Sequence, residues 1–165
     1  MRAMVLDGPA PIASAPLRAA EREDPAPGPG EIAIDVVACA VCRTDLQLAE
    51  GDVTLRRTPI VPGHQLVGRV GAVGEGVTEF RVGDRACIGW LAGADGTCRF
   101  CVGGRENLCE AARFTGWDRD GGYATRAIVR ADFARRTPEG FSDLDAAPLL
   151  CGGVIGYRSL LRSGI

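Results

Sequence analysis

The sequence predicts a mainly β domain with a few short helices, folded as a partly open β-barrel or sandwich. Three observations carry that expectation. Short apolar runs, alternating or β-branched, recur along the chain. Turn formers cut them apart, with 23 Gly and 10 Pro among 165 residues. Helical periodicity emerges only near the end. Many short strands with frequent turns suit a partly open barrel or sandwich.

Taken in order, Arg2–Leu6 and Leu17–Glu21 read as short strands. The Pro/Gly-rich stretch 25–30 is a tight loop rather than a linker, because strand signal resumes at once. Residues 31–38 alternate, with Ile32, Ile34 and Val36 on one face and Asp35 on the other, as a half-buried strand does. Residues 44–49 have room for one or two helical turns behind Cys42. Leu66–Val73 reads as a Gly-rich strand, and Arg85–Ile88 and 123–129 as two more. Residues 77–82 read as turn and strand. Ser142 is a candidate N-cap, with Asp145 three residues on. Over 146–162 the positions Leu149, Leu150, Ile155, Leu160 and Leu161 could line a buried helix, with Gly152-Gly153 as a candidate break.

Composition bounds the function. One domain with a sizeable core fits this length. A net charge of −2, with no basic cluster longer than Arg56-Arg57 or Arg135-Arg136, argues against nucleic acid as a partner. All 19 basic side chains are Arg. The first twenty residues hold no continuous apolar stretch, so no signal peptide is expected. The apolar run 146–157 is too short and Gly-rich to span a bilayer. No membrane association is expected, and a cytoplasmic location is. Seven cysteines without a secretion signal read as metal ligands before they read as disulfides.

The densest signal is Asp95-x2-Cys98-x2-Cys101-x7-Cys109. Two cysteines two residues apart can grip one tetrahedral ion from a single turn, and a third closes the site from the next. Asp95 repeats the spacing and offers a carboxylate as fourth ligand, harder than thiolate but acceptable to zinc. The competing readings are three structural cysteines by chance spacing and a solvated turn aspartate in Ala94-Asp95-Gly96. Large apolar residues are scarce in this loop, which speaks against thiols buried for packing. A second set is more dispersed: Cys42, the lone histidine His64, and Cys151 before Gly152-Gly153. A catalytic zinc takes three protein ligands and leaves a fourth position open. Spacing alone leaves this trio level with a core cysteine and a satisfied core histidine.

Further pieces then fall into order along the whole chain. They are Gly28-Pro29-Gly30-Glu31, Cys42-Arg43-Thr44-Asp45-Leu46, Pro62-Gly63-His64, Val73-Gly74 leading to Val82-Gly83-Asp84-Arg85, Glu106-Asn107-Leu108-Cys109, Asp120-Gly121-Gly122-Tyr123-Ala124 and Pro148-Leu149-Leu150-Cys151. With them, the chain resembles the N-terminal, GroES-like catalytic domain of the medium-chain zinc-dependent alcohol dehydrogenases. The resemblance implies a GroES-like, partly open β-barrel over 1–165, whose terminal helix would lead into a nucleotide-binding Rossmann domain. It implies Cys42, His64 and Cys151 as ligands of a catalytic zinc, and Asp95, Cys98, Cys101 and Cys109 as ligands of a structural zinc. Thr44 would hydrogen-bond the substrate oxygen and help draw off its proton. Asp45 would orient His64 through its other ring nitrogen. Arg43 would reach the pyrophosphate of NAD or NADP, and Trp90 would line the substrate pocket, unless it is simply a core or rim aromatic. The implied activity interconverts a small-molecule alcohol with its aldehyde or ketone, zinc acting as Lewis acid.

The sequence departs from that pattern in places. Gln47 stands where the family often carries a histidine that ends a proton relay, and an amide cannot titrate near neutral pH. Gln65 stands where a glutamate is usual beside the zinc-ligand histidine, which removes a negative charge near the ion. Asp95 replaces a cysteine, so a weaker structural site is expected. The run Gly68 to Gly76 lacks the G-x-G-x-x-G spacing between strand and helix and reads as a structural turn. A nucleotide-binding domain is therefore expected outside the sequence, and the 165 residues alone are expected to be inactive. The competing reading is a free-standing zinc-binding GroES-like module serving as scaffold or partner-binding unit. A zinc-free quinone or enoyl reductase relative would have no need of Cys42, His64 and Cys151. Homo-oligomerisation, or association through the apolar end at 149–161, is also expected.

Overall fold

The computed structural model describes residues 1–164; the end point Ile165 of the expected domain lies outside the described residues. Strand β1 (Arg2–Leu6) pairs antiparallel with β2 (Leu17–Glu21) in a two-stranded sheet. Strand β3 (Glu31–Cys39) is the spine of the main sheet, followed by helix α1 (Arg43–Glu50), β4 (Leu66–Val73) and β5 (Arg85–Ile88). A lobe follows, with β6 (Leu91–Gly93), the single-turn helix α2 (Arg99–Val102) and β7 (Arg113–Phe114). The chain returns through β8 (Arg126–Arg130) and β9 (Arg135–Arg136) and ends in α3 (Asp143–Pro148), a π-turn at Leu149–Gly153 and α4 (Val154–Ser163). The five-stranded sheet runs β8-β3-β4-β5-β9, and β6-β7 form a third small sheet. The sheets do not close, which gives the open, mainly β architecture expected. No helix of the described residues is long and apolar enough to cross a membrane.

The core forms where the main sheet folds over Ile32, Ile34, Leu66, Val70, Phe80 and Ile88. Ile32 and Ile34 are fully buried, as their alternation predicts. Ala33 is fully buried as well, although its side chain leaves the opposite face. The half-buried expectation for β3 therefore holds only partly. The chain packs tightly at Gly68. A Cβ there would lie 2.1 Å from the Asp35 carbonyl oxygen. The run from Gly68 to Gly76, read as a structural turn, is strand β4 as far as Val73 and turns only at residues 75–76.

Three expectations change. The strand read over 123–129 begins only at Arg126, because Tyr123 hydrogen-bonds instead to Met4 and Pro62. Residues 77–82 hold turns and no strand, although Phe80 is buried in the core. The terminal segment neither breaks at its glycines nor lines a core. Ser142 caps α3 by accepting from Asp145 N at 3.1 Å, the helix widens into the π-turn, and α4 continues. Ile155, Leu160 and Leu161 are exposed, because no described element packs over α4. Leu150 alone reaches the small cluster of Val67, Cys87, Ala146 and Ala147.

Helix α3 is tied to the sheet by Asp143, whose carboxylate accepts from Arg85 Nη2 at 2.7 Å and Arg69 Nη1 at 3.5 Å. The Arg85 hydrogen bond holds the Asp143 carboxyl below its usual range. A depressed folded pKa gives stability that is present above the unfolded pKa and lost as pH falls through the folded one. Solvent screens the pair, so Asp143→Asn is expected to lose about 1 kcal/mol at pH 7. Urea unfolding against pH checks this: the wild-type advantage should shrink below about pH 4.

Candidate functional site

Helix α1 begins at Cys42 for a local reason. Cys42 is the N-cap, and its Sγ accepts from Thr44 N at 3.3 Å. Asp45 reaches back, its Oδ2 accepting from Cys42 N at 2.9 Å, which completes a capping box. The other carboxylate oxygen, Oδ1, faces His64 Nδ1 at 3.1 Å. One side chain therefore fixes both Cys42 and His64. Burial pushes the Asp45 carboxyl up, but the His64 ring and the Cys42 N–H outweigh it and leave it lowered. With an acceptor on Nδ1, that nitrogen carries the proton and Nε2 offers its lone pair. Nε2 lies 3.3 Å from Cys42 Sγ.

His64 is 1% exposed and is seated by a backbone clamp. Gly121 N donates to Val61 O at 2.7 Å, Gly122 N to Gly63 O at 2.7 Å and Tyr123 N to Pro62 O at 3.0 Å. Gly63 has φ +94°, and a Cβ there would sit 2.6 Å from the Tyr123 ring, so only glycine lets the chain turn inward at this point. Cys151 arrives from the far end of the sequence, in the π-turn rather than at a helix start. The turn docks where Gly89 leaves space beside the Leu150 carbonyl. Burial, followed by the Cys42 charge, raises the Cys151 thiol.

The ligand atoms of Cys42, His64 and Cys151 lie within 4.8 Å of one another, and so do those of Asp95, Cys98, Cys101 and Cys109. Zinc with Zn–S near 2.3 Å and Zn–N near 2.0 Å spaces tetrahedral ligands by roughly 3.5–3.8 Å. The observed 3.3 Å from Cys42 to His64, and 3.6 Å between the Cys98 and Cys101 sulfurs, need only small adjustments. Two thiols and an imidazole nitrogen suit an open zinc site, and three thiols with a carboxylate suit a closed one. Both donor sets fit the ion.

In the second cluster Asp95 Oδ1 accepts from Thr97 N at 2.8 Å and Cys98 N at 2.9 Å, while Oδ2 meets Cys109 Sγ at 3.2 Å. The two backbone donors hold its carboxyl well below the usual range. Asp95 is thus an exposed turn aspartate whose second oxygen faces the thiols. Backbone N–H groups, that of Cys101 first, lower the Cys98 thiol, whereas burial pushes Cys101 up to about 12. Contrary to the expectation from composition, Cys101 and Cys109 are buried, because Ala112, Leu91 and Phe114 close over them. All seven cysteines are free.

The remaining predicted residues are spread around the first cluster. Thr44 is half-buried in the first turn of α1, beside Cys42. Arg43 is exposed, with only a 3.9 Å charge contact to Asp52. Trp90 stands edge-on to His64 with ring centroids 4.9 Å apart, its backbone carbonyl accepting from Thr115 N at 2.9 Å. Gln65 is buried, and its amide donates to the Ala40 carbonyl at 3.4 Å. Sequence reasoning missed the aromatic wall behind Trp90: Phe114 stacks on it at 4.9 Å and Trp117 at 5.7 Å. The spacing of Phe114 and Trp117 in one turn-rich stretch was the available signal. It also missed the Tyr123 hydroxyl, buried without a hydrogen-bond partner among the described residues. Burial and the Asp45 charge push that phenol upward.

The chain is similar to known proteins. The family model of the alcohol dehydrogenase GroES-like domain matches residues 28–139. The probable alcohol dehydrogenase AdhA of Mycobacterium tuberculosis is 48% identical over 168 residues, covering 99% of this chain and 49% of the relative. An alcohol dehydrogenase of Geobacillus stearothermophilus is 42% identical over 150 residues, covering 90% and 44%. Among solved structures, the cobalt- and zinc-bound thermostable alcohol dehydrogenase of Pyrobaculum aerophilum superposes with a TM-score of 0.90 at 32% identity, over 100% of this chain and 49% of that one. The CAD of Helicobacter pylori complexed with NADP(H) gives 0.85 at 25% identity, over 100% and 50%. The chain spans about half the length of the curated relatives it matches.

Asp45→Asn keeps a hydrogen-bonding group but removes the charge that orients His64. Zinc affinity at the Cys42–His64–Cys151 cluster should fall about 10- to 100-fold. Competition with a chelator of known affinity measures it.

Proposed function

This chain belongs to the alcohol dehydrogenase GroES-like domain family, and from that premise we propose that it is the catalytic part of a zinc-dependent alcohol dehydrogenase. The enzyme would interconvert a small-molecule alcohol and its aldehyde or ketone with NAD or NADP. The observation that carries this reading is the convergence of Cys42, His64 and Cys151 within 4.8 Å, with Asp45 behind the histidine. The cobalt and zinc bound by the Pyrobaculum aerophilum relative and the NADP(H) bound by the Helicobacter pylori one support it. The nicotinamide carrier would be held by a nucleotide-binding domain outside residues 1–165.

Cys42, His64 and Cys151 would hold the catalytic zinc, which supplies Lewis-acid polarisation of the substrate oxygen. The chain's own residues do the rest. Asp45 keeps the proton on His64 Nδ1, so Nε2 stays free. Thr44, two residues past Cys42, hydrogen-bonds the substrate hydroxyl and accepts its proton for relay to solvent. Gln47 cannot titrate, so that relay ends on water. Arg43, exposed and only loosely held by Asp52, is free to turn to a pyrophosphate. Trp90 walls the substrate side of His64. Asp95, Cys98, Cys101 and Cys109 would hold a structural zinc that fixes the lobe. The exposed apolar side chains of α4 support association, with the cofactor domain or with a second copy.

The test uses the polypeptide that carries this chain, assayed with primary and secondary alcohols by nicotinamide absorbance. Cys42→Ala should lower kcat/KM at least about a thousand-fold, the rate equivalent of roughly 4 kcal/mol of lost polarisation. Unchanged turnover would overturn the reading.

A further inference from the structure

At the exposed end of the aromatic wall, Arg56 lies over the Trp117 ring, 3.8 Å from its centroid. The same arginine borders a cavity of about 460 Å³ that none of the dehydrogenase residues lines. Arg57, Arg113, Arg119 and Arg130 complete its rim, with Asp118 the one carboxylate among them, over a floor of small residues at 92–94.

The carboxylates here do not balance the guanidiniums. Asp118 is buried and already committed: it accepts from Phe114 N at 2.8 Å and from Arg56 Nη1 at 3.1 Å. Arg113 has only a 3.6 Å charge contact to it. Arg57 has only a 3.9 Å contact to Asp120, which Arg22 already holds at 3.1 Å. Arg119 gives Nη2 to Glu31, and Arg130 pairs with Asp132, both acids lying outside the cavity lining. With Arg22 counted, six guanidiniums share four carboxylates. A guanidinium carries five N–H donors. Among the described residues, those of Arg57 and Arg113 make no hydrogen bond at all. Crowded cations with unspent, planar donors around one concavity are an arrangement that a multivalent oxyanion relieves.

We propose that this cavity binds a small organic phosphate. Arg57 and Arg113 would supply bidentate hydrogen bonds to the phosphoryl oxygens. Arg56 and Arg119 would contribute the nitrogens that Asp118 and Glu31 leave free. The volume lies in the range of small-molecule pockets and exceeds what a lone inorganic ion fills, so the phosphate carries an organic body. The small floor residues leave room for that body. The site uses no zinc ligand and no substrate contact, so it stands apart from the dehydrogenase reading.

The chain has only two tryptophans, Trp90 and Trp117, and both are in the wall that Arg56 touches. An anion drawing on Arg56 therefore changes tryptophan emission. The experiment titrates the chain at constant ionic strength with glycerol phosphate, inorganic phosphate and citrate, following emission and calorimetric heat. Saturable binding of glycerol phosphate, tighter than of the other two, is expected. The double variant R57Q/R113Q should weaken it at least about ten-fold, as loss of charge-assisted hydrogen bonds does. R18Q, which alters an arginine paired with Asp7 outside the cavity, should bind as the wild type does. An unchanged melting temperature for the double variant separates lost binding from lost fold. No saturable change with any probe, or an undiminished response in R57Q/R113Q, would overturn the proposal. Inorganic phosphate binding as tightly as the ester would overturn the organic body, and tighter citrate would overturn the phosphate assignment.

Discussion

The candidate centre depends on one carboxylate. Asp45 accepts from the Cys42 backbone N–H with one oxygen and meets His64 Nδ1 with the other. The first contact starts helix α1 and so fixes where the Cys42 sulfur points. The second sets the tautomer and the plane of the imidazole. A helix cap and the contact that orients His64 are here the same group, so the local fold and the candidate centre fail together if it is lost. Asp45 is almost fully buried, so its charge is screened little by solvent and has these two partners to stabilise it.

Everything else brings three distant pieces of chain to that carboxylate. The close approach of β3 and β4 at Gly68 sets the depth of the strand that follows His64. The clamp between 61–63 and 121–123 sets the histidine itself. The π-turn, an irregular helix of the kind often found at functional positions, brings Cys151 round while Leu150 anchors it in the sheet's small apolar cluster. The lobe with Asp95, Cys98, Cys101 and Cys109 is joined through Phe114, which packs on the cysteines on one side and stacks on Trp90 on the other. Rigidity of that lobe is thereby passed to the wall beside His64.

Much of this was legible in the sequence. Strands β1, β2, β4 and β5 follow from their apolar patterns and the turn formers around them, and the α3 cap from Ser142 and Asp145. The x2 spacing of Asp95, Cys98 and Cys101 foretold their cluster, because ligands on one turn are brought together locally. Cys151 was different: the residues alone offered it only as a candidate third ligand, level with a core cysteine, and the likeness to a known family decided for it, since no local rule spans that distance. What pattern misread has a common cause in tertiary context. Ala33 is buried although alternation places it on the Asp35 face. Leu160 and Leu161 are exposed because an apolar helical stripe records a wish for a partner and not its presence. Cys101 and Cys109 are buried by Leu91 and Phe114, which come from the strands flanking the loop. The arginine-lined cavity was invisible, being assembled from five separate stretches whose charges average out along the chain.

The central claim is that Cys42, His64 and Cys151 form a zinc centre distinct from the Asp95 cluster. Metal content of the purified chain, with and without Cys151→Ser, tests it most directly. Two zinc equivalents are expected for the wild type and one for the variant, the remaining ion showing a sulfur-rich X-ray absorption signature from Cys98, Cys101 and Cys109. A wild type and variant that hold the same amount of zinc would contradict it.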